Sequence, residues 1–175
     1  MNARYYVAAA LVGGLVSFAW GTVSHLTSAF SGAEPRTFTD SNAVVQVVKA
    51  NAPENGIYFD GRGLFAVVSF RPDLGAKFPS LAPSLGIQLV IKIGVALVLA
   101  WVLLRLPPMT AFQTGILLAI IGVAAAVEEL FPMQLWYGYP RASTAFEAFD
   151  LVVGWFVVGL VLGALRNKMI PAQSA

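Results

Sequence analysis

Residues 5–26 contain no charge, and three more strongly apolar runs follow at 84–106, 110–131 and 144–165. A helix needs about 20 predominantly apolar residues to cross a hydrocarbon core, and each run reaches that length. Four such runs in a chain of 175 residues point to four transmembrane helices. Composition agrees: 58% of residues are hydrophobic and 11% charged, against about 25% charged in a soluble domain. Such a chain cannot cover its surface with polar groups in water, so a lipid bilayer is its expected solvent.

Between the first two runs the character changes. Residues 27–83 carry Glu34, Arg36, Asp40, Lys49, Glu54, Asp60, Arg62, Arg71, Asp73 and Lys77 among prolines and glycines, which marks an extramembrane insert. Thr39 or Asp40 can cap a short helix over about 41–51 with Val44, Val45, Val47 and Val48 on its apolar side, and Asn51-Ala52-Pro53 ends it. Two β-rich runs flank Asp60-Gly61-Arg62-Gly63, predicting a hairpin over about 57–70. Residues 74–83 read as an irregular return to the membrane surface. The fold class expected is therefore an all-α membrane protein of four transmembrane helices, with a small α+β extracytoplasmic insert between helices 1 and 2. The rival reading of the first run is a signal peptide, because Ser31-Gly32-Ala33 resembles a cleavage site; the run is longer than the usual apolar region of such peptides.

Charge asymmetry gives an orientation. With the amino terminus inside, the cytoplasmic helix ends carry Arg4, Arg105, Arg166 and Lys168, while all nine acidic residues fall outside or at the outer interface. Both termini are expected in the cytoplasm and the insert 27–83 in the periplasm.

That orientation collects His25, Gln88, Lys92, Glu128, Glu129, Glu147 and Asp150 in the outer leaflet. Lys92 sits roughly 9 Å of helix rise beyond Gly86, below the headgroups unless it snorkels. Residues 151–165 are fewer than the ~20 needed to cross the core, so Glu147 and Asp150 lie at or just inside its edge. Ionisable groups at that depth pair, and Lys92 with Glu129 or Asp150 is the expected pair. The cluster reads either as a proton, cation, headgroup or metal site, or as an ion-paired cap that fixes helix register. His25, the single histidine, is expected as an interfacial hydrogen-bonding residue rather than a metal ligand.

Small residues suggest how the helices meet. Gly13, Ser17 and Gly21 recur every fourth residue on the first helix, and Gly159 and Gly163 form GxxxG on the last, with Gly154 before them. Together they predict close packing between helices 1 and 4, within one bundle or between subunits.

Other chemistry finds little support. There is no G-x-S-x-G elbow, phosphate-cradling loop or HExxH pair. Cysteine is absent, which removes disulfides and thiolate chemistry. A serine nucleophile beside His25 would be Ser17, Ser24 or Ser28, without a strained turn or oxyanion donor. A net charge of +2 on scattered basic residues leaves no nucleic-acid footprint. No catalytic, cofactor-binding or metal residues are therefore assigned.

Two stretches carry a resemblance: Phe18-Ala19-Trp20-Gly21 with Ser24-His25, and FTDSNAVVQVVKANAPENGIYF over 38–59. Residues 18–59 resemble a group of small, functionally uncharacterised bacterial integral membrane proteins. The resemblance implies a bacterial envelope protein of similar helix count and brings no activity. The functional expectation is a non-catalytic accessory or stabilising subunit that packs against other membrane subunits of a larger inner-membrane complex, for which a respiratory or photosynthetic host is one option. The alternative is a small ion- or proton-coupled transport protein using an outer-leaflet charged cluster of Lys92, Glu128, Glu129 and Asp150.

Overall fold

The computed structural model describes residues 3–26, 36–71 and 81–170. Four helices are long and apolar enough to cross a membrane: α1 (Ala3–Leu26), α3 (Ala82–Leu103), α4 (Ala111–Tyr137) and α5 (Arg141–Met169). Between α1 and α3 lie a short helix, α2 (Ser41–Asn51), and two strands, β1 (Gly56–Phe59) and β2 (Phe65–Val68). Chain contacts divide the protein into a helical unit and a unit spanning Glu34–Pro83. The cleavage-like Ser31-Gly32-Ala33, Ser28 and most of the expected return over 74–83 lie outside the described residues.

In the smaller unit, Asp40 caps α2 by accepting a hydrogen bond from the Ala43 amide at 2.9 Å. β1 and β2 pair antiparallel, with Ile57 opposite Val67 and Phe59 opposite Phe65. The turn between them is built on Asp60, whose Oδ1 accepts from the amides of Arg62 at 2.8 Å and Leu64 at 2.9 Å. Those bonds require the chain to curl through Gly61 (φ +72°) and Gly63 (φ +119°), backbone conformations that glycine adopts without a Cβ clash.

In the helical unit, α4 and α5 form an antiparallel hairpin. The sequence predicts that the third transmembrane helix stops before Pro132, but α4 continues to Tyr137 with Pro132 inside it. Proline's fixed φ is compatible with a helix, although Pro132 removes the hydrogen bond to the Glu128 carbonyl and crowds that oxygen. Met133, Gln134 and Leu135 then favour continuation. The helix ends instead at Gly138, in the left-handed conformation (φ 70°), where the Gly138 amide donates to the Gln134 carbonyl and the Tyr139 amide to that of Met133. α5 correspondingly starts at Arg141, after Pro140. At the other end of α4, Thr110 and Gln113 form a reciprocal capping box.

Glycines set the α4/α5 contact. A Cβ at Gly159 would lie 2.7 Å from both Gly115 Cα and the Thr114 carbonyl oxygen, and one at Gly163 would lie 2.8 Å from Ala111 Cα. Gly159 and Gly163 thus face α4; the expected close packing of the first and last long helices is present, but it runs through Gly154 against Trp20 and Gly13 against Leu162 rather than through this GxxxG. The reason is geometric: the three-residue connection 138–140 forces α4 and α5 into register along their length, and their smallest side chains then meet backbone to backbone.

α1 runs antiparallel along another side of α5. Gly13 faces Leu162 and Ala96, but Gly21 has nothing within 4 Å of a Cβ position, so the expected groove of Gly13, Ser17 and Gly21 is used only in part. α1 also approaches α3 closely at Gly14, where a Cβ would sit 2.7 Å from Ile93 Cα. Tyr5, Ala9, Ala100, Leu103, Leu118, Val158 and Leu162 form the buried core. Arg166, buried beside this core, donates from Nη1 to the Pro107 carbonyl at 3.0 Å and from Nη2 to that of Leu106 at 2.6 Å. One guanidinium thereby satisfies two carbonyls that follow the end of α3. Large apolar side chains remain exposed along the outside, including Val7, Leu11 and Leu15 on α1, Val90 and Val98 on α3, and Ile116, Ile120 and Val127 on α4. Such a continuous apolar belt suits lipid rather than water.

Candidate functional site

Three of the seven polar residues singled out by the sequence meet at one end of the helical unit: His25 at the close of α1, with Glu147 and Asp150 near the start of α5. His25 Nε2 lies 3.8 Å from Glu147 Oε1. One ligand-type atom from each of His25, Glu147 and Asp150 lies within 4.8 Å of the others. Glu147 and Asp150 are three residues apart, so both carboxylates project from one face of α5.

The helices are held in place beneath this cluster by Trp20. Its indole N–H donates to the Asp150 main-chain carbonyl at 3.1 Å, and its ring fills the space left by Gly154, where a Cβ would lie 2.8 Å from Trp20 Cδ1. The imidazole is oriented as well. His25 Nδ1 is 3.0 Å from the Gly21 carbonyl oxygen and 3.2 Å from Ser24 Oγ, and the ring meets Phe146 edge-on with centroids 5.3 Å apart. With Nδ1 directed at the Gly21 carbonyl, Nε2 is left to face the carboxylates.

Burial differs across the three. The His25 and Glu147 side chains are about half exposed, at 52% and 50%. Asp150 Oδ1, by contrast, is inaccessible to solvent and has no hydrogen-bond partner among the described residues. A buried carboxylate oxygen without a hydrogen-bond partner carries a desolvation cost.

The other four residues are placed elsewhere. Gln88 is exposed on α3, and Glu128 and Glu129 are exposed on α4. Lys92 is half-buried in a crevice with Ser17, Ala96, Leu99, Trp155 and Val158. Among the described residues it forms no ion pair with Glu129 or Asp150, which corrects the expected pairing. Lys92 projects between α1 and α5, whereas Glu129 stands on the outside of α4. The crevice opens against Trp155, roughly 7 Å of helix rise from Asp150.

What the sequence reading missed is the role of Trp20. In the sequence Trp20 stands out only within the Phe18-Ala19-Trp20-Gly21 stretch, and nothing there shows that its indole reaches the backbone of α5. Gly14, which falls outside the four-residue spacing of Gly13, Ser17 and Gly21, carries no such signal in the sequence.

No protein-family model matches the chain, and neither a curated protein nor a solved structure matches it.

Proposed function

We propose that the protein is a non-catalytic accessory or stabilising subunit of a larger bacterial inner-membrane complex, with both termini cytoplasmic and the insert periplasmic. The observation that carries this reading is the sparse packing of α3. Only 11% of its apolar span is buried by the rest of the described chain, against 28% for α1 and for α5. The same helix holds Gly86 and Gly94 with open space at their Cβ positions. It also holds Lys92, an amine with no ion-pair partner among the described residues. Intramembrane amines pair with acids, and open glycines permit close helix approach, so a neighbouring subunit that supplies both a helix and a carboxylate fits α3.

The test is purification of the tagged protein from its native membrane in mild detergent. Other membrane subunits should co-migrate, and Lys92→Met or Gly94→Ile should release them while leaving the protein folded. Migration alone, with no second subunit, removes the reading.

A second reading, a small ion- or proton-coupled transport protein, is favoured by the meeting of His25, Glu147 and Asp150. Under it, transport in proteoliposomes should fail on Asp150→Asn, and unchanged transport would take the cluster out of the mechanism.

A further inference from the structure

We infer that His25, Glu147 and Asp150 form a binding site for a first-row divalent metal ion, with His25 Nε2 and one oxygen of each carboxylate as ligands. This rests on the geometry of the three side chains and is independent of the accessory-subunit reading.

The first support is the direction of the imidazole. His25 Nδ1 lies 3.0 Å from the Gly21 carbonyl oxygen, which leaves Nε2 directed toward Glu147 Oε1. At 3.8 Å Nε2 and Glu147 Oε1 are too far apart for a direct hydrogen bond, and a cation between them would take both as ligands. A histidine whose far nitrogen is tied to a backbone carbonyl is also the arrangement that fixes tautomer and ring orientation in metal sites.

The second support is Asp150. Its Oδ1 is inaccessible and unpartnered among the described residues, while its main-chain carbonyl is engaged by Trp20. Metal coordination by the Asp150 carboxylate would offset the cost of burying it without requiring a protein donor. The third is spacing. Ligand atoms about 2.1 Å from one ion lie roughly 3–3.5 Å from one another. The three donor atoms lie within 4.8 Å, so a modest turn of the half-exposed Glu147 side chain closes the set.

The donor set defines the class of ion. One imidazole and two carboxylates suit Zn2+, Mn2+, Fe2+ or Co2+; thiolate-preferring Cu(I) is excluded by the oxygen-rich set. The exposed side of His25 and Glu147 leaves room for water to complete the coordination.

The test uses the full chain in detergent, stripped with chelator and titrated with ZnCl2 or MnCl2 by calorimetry, with thermal unfolding followed in parallel. The expected result is saturable binding of one ion per chain and a raised Tm. Asp150→Asn, His25→Gln and Glu147→Gln should each weaken affinity by at least the 10–100-fold that loss of an outer partner causes. The double variant Glu128→Gln, Glu129→Gln should bind as the parent does. Co2+ substitution should give visible absorption that Glu147→Gln alters; this half-exposed position permits replacement without disturbing the core. Absence of saturable binding by the parent overturns the proposal. Undiminished binding by the folded Glu147→Gln and Asp150→Asn proteins overturns it as well.

Discussion

The Trp20 indole N–H donates to the main-chain carbonyl of Asp150 at 3.1 Å, joining the end of α1 to the start of α5 across a sequence separation of 130 residues. The Asp150 amide unit is thus anchored through its backbone, while its side chain faces His25 and Glu147.

Trp20→Phe keeps an aromatic ring against Gly154 and removes the donor. Interhelical hydrogen bonds in membranes are worth about 0.6 kcal/mol on average and up to about 2. The expected outcome is a loss of that size in a denaturant or SDS titration, with helix content unchanged. Faster hydrogen exchange should be confined to the first turns of α5.

Gly159→Leu should be far more damaging than Gly21→Leu. At Gly159 a Cβ meets the backbone of Thr114 and Gly115, which cannot give way without parting α4 from α5. Overpacking of this kind costs about 1–3 kcal/mol or more. Gly21 has open space around it, so the same substitution there should change stability by less than about 0.5 kcal/mol. Thermal unfolding of both variants in one detergent measures the contrast.

Arg166→Met should destabilise the α3–α4 connection by about 1–3 kcal/mol, because the carbonyls of Leu106 and Pro107 lose their donors. Arg166→Lys should recover part of the loss at most, since one ammonium cannot reproduce two diverging guanidinium bonds. Limited proteolysis between α3 and α4 is a direct readout.

The hairpin turn should respond to acid. The amides of Arg62 and then Leu64, donating to the Asp60 carboxylate, hold its pKa below the ordinary value. A depressed carboxylate pKa means that the turn's stabilisation is complete above the unfolded value and is lost as pH falls through the lowered folded value. Amide exchange at Arg62 and Leu64 in the full chain should therefore stay slow at neutral pH and quicken in acid. Asp60→Asn retains the Oδ1 acceptor and should flatten the pH response, while Asp60→Ala should be fast throughout.

Much of the architecture was legible before any coordinates, for identifiable reasons. Hydrophobic length alone marks the four long helices, Asp40 announces the start of α2, and the Asp60 to Gly63 stretch announces a turn. Pro132 misleads because a proline stops a helix only when nothing beyond it favours continuation, and here Gly138 supplies a better cap six residues later. Small-residue spacing says that a helix surface can be approached closely but not by which neighbour. Gly159 therefore could not be assigned to α4 from its own segment. Of the seven polar residues, depth along the helices brings all to one end, but only rotation about each helix axis decides which of them meet. That rotation places His25, Glu147 and Asp150 together and leaves Lys92, Gln88, Glu128 and Glu129 apart.

Because Arg166 lies near the end of α5 yet satisfies carbonyls that follow α3, the order of synthesis runs against the order of dependence. As the chain leaves the ribosome, Leu106 and Pro107 emerge long before the guanidinium that completes their hydrogen bonding. Until α5 has been made, that bend must be hydrated or held by other factors. A ribosome stalled before Arg166 should thus expose a chain with three inserted helices and an open bend, vulnerable to membrane-associated quality-control proteases.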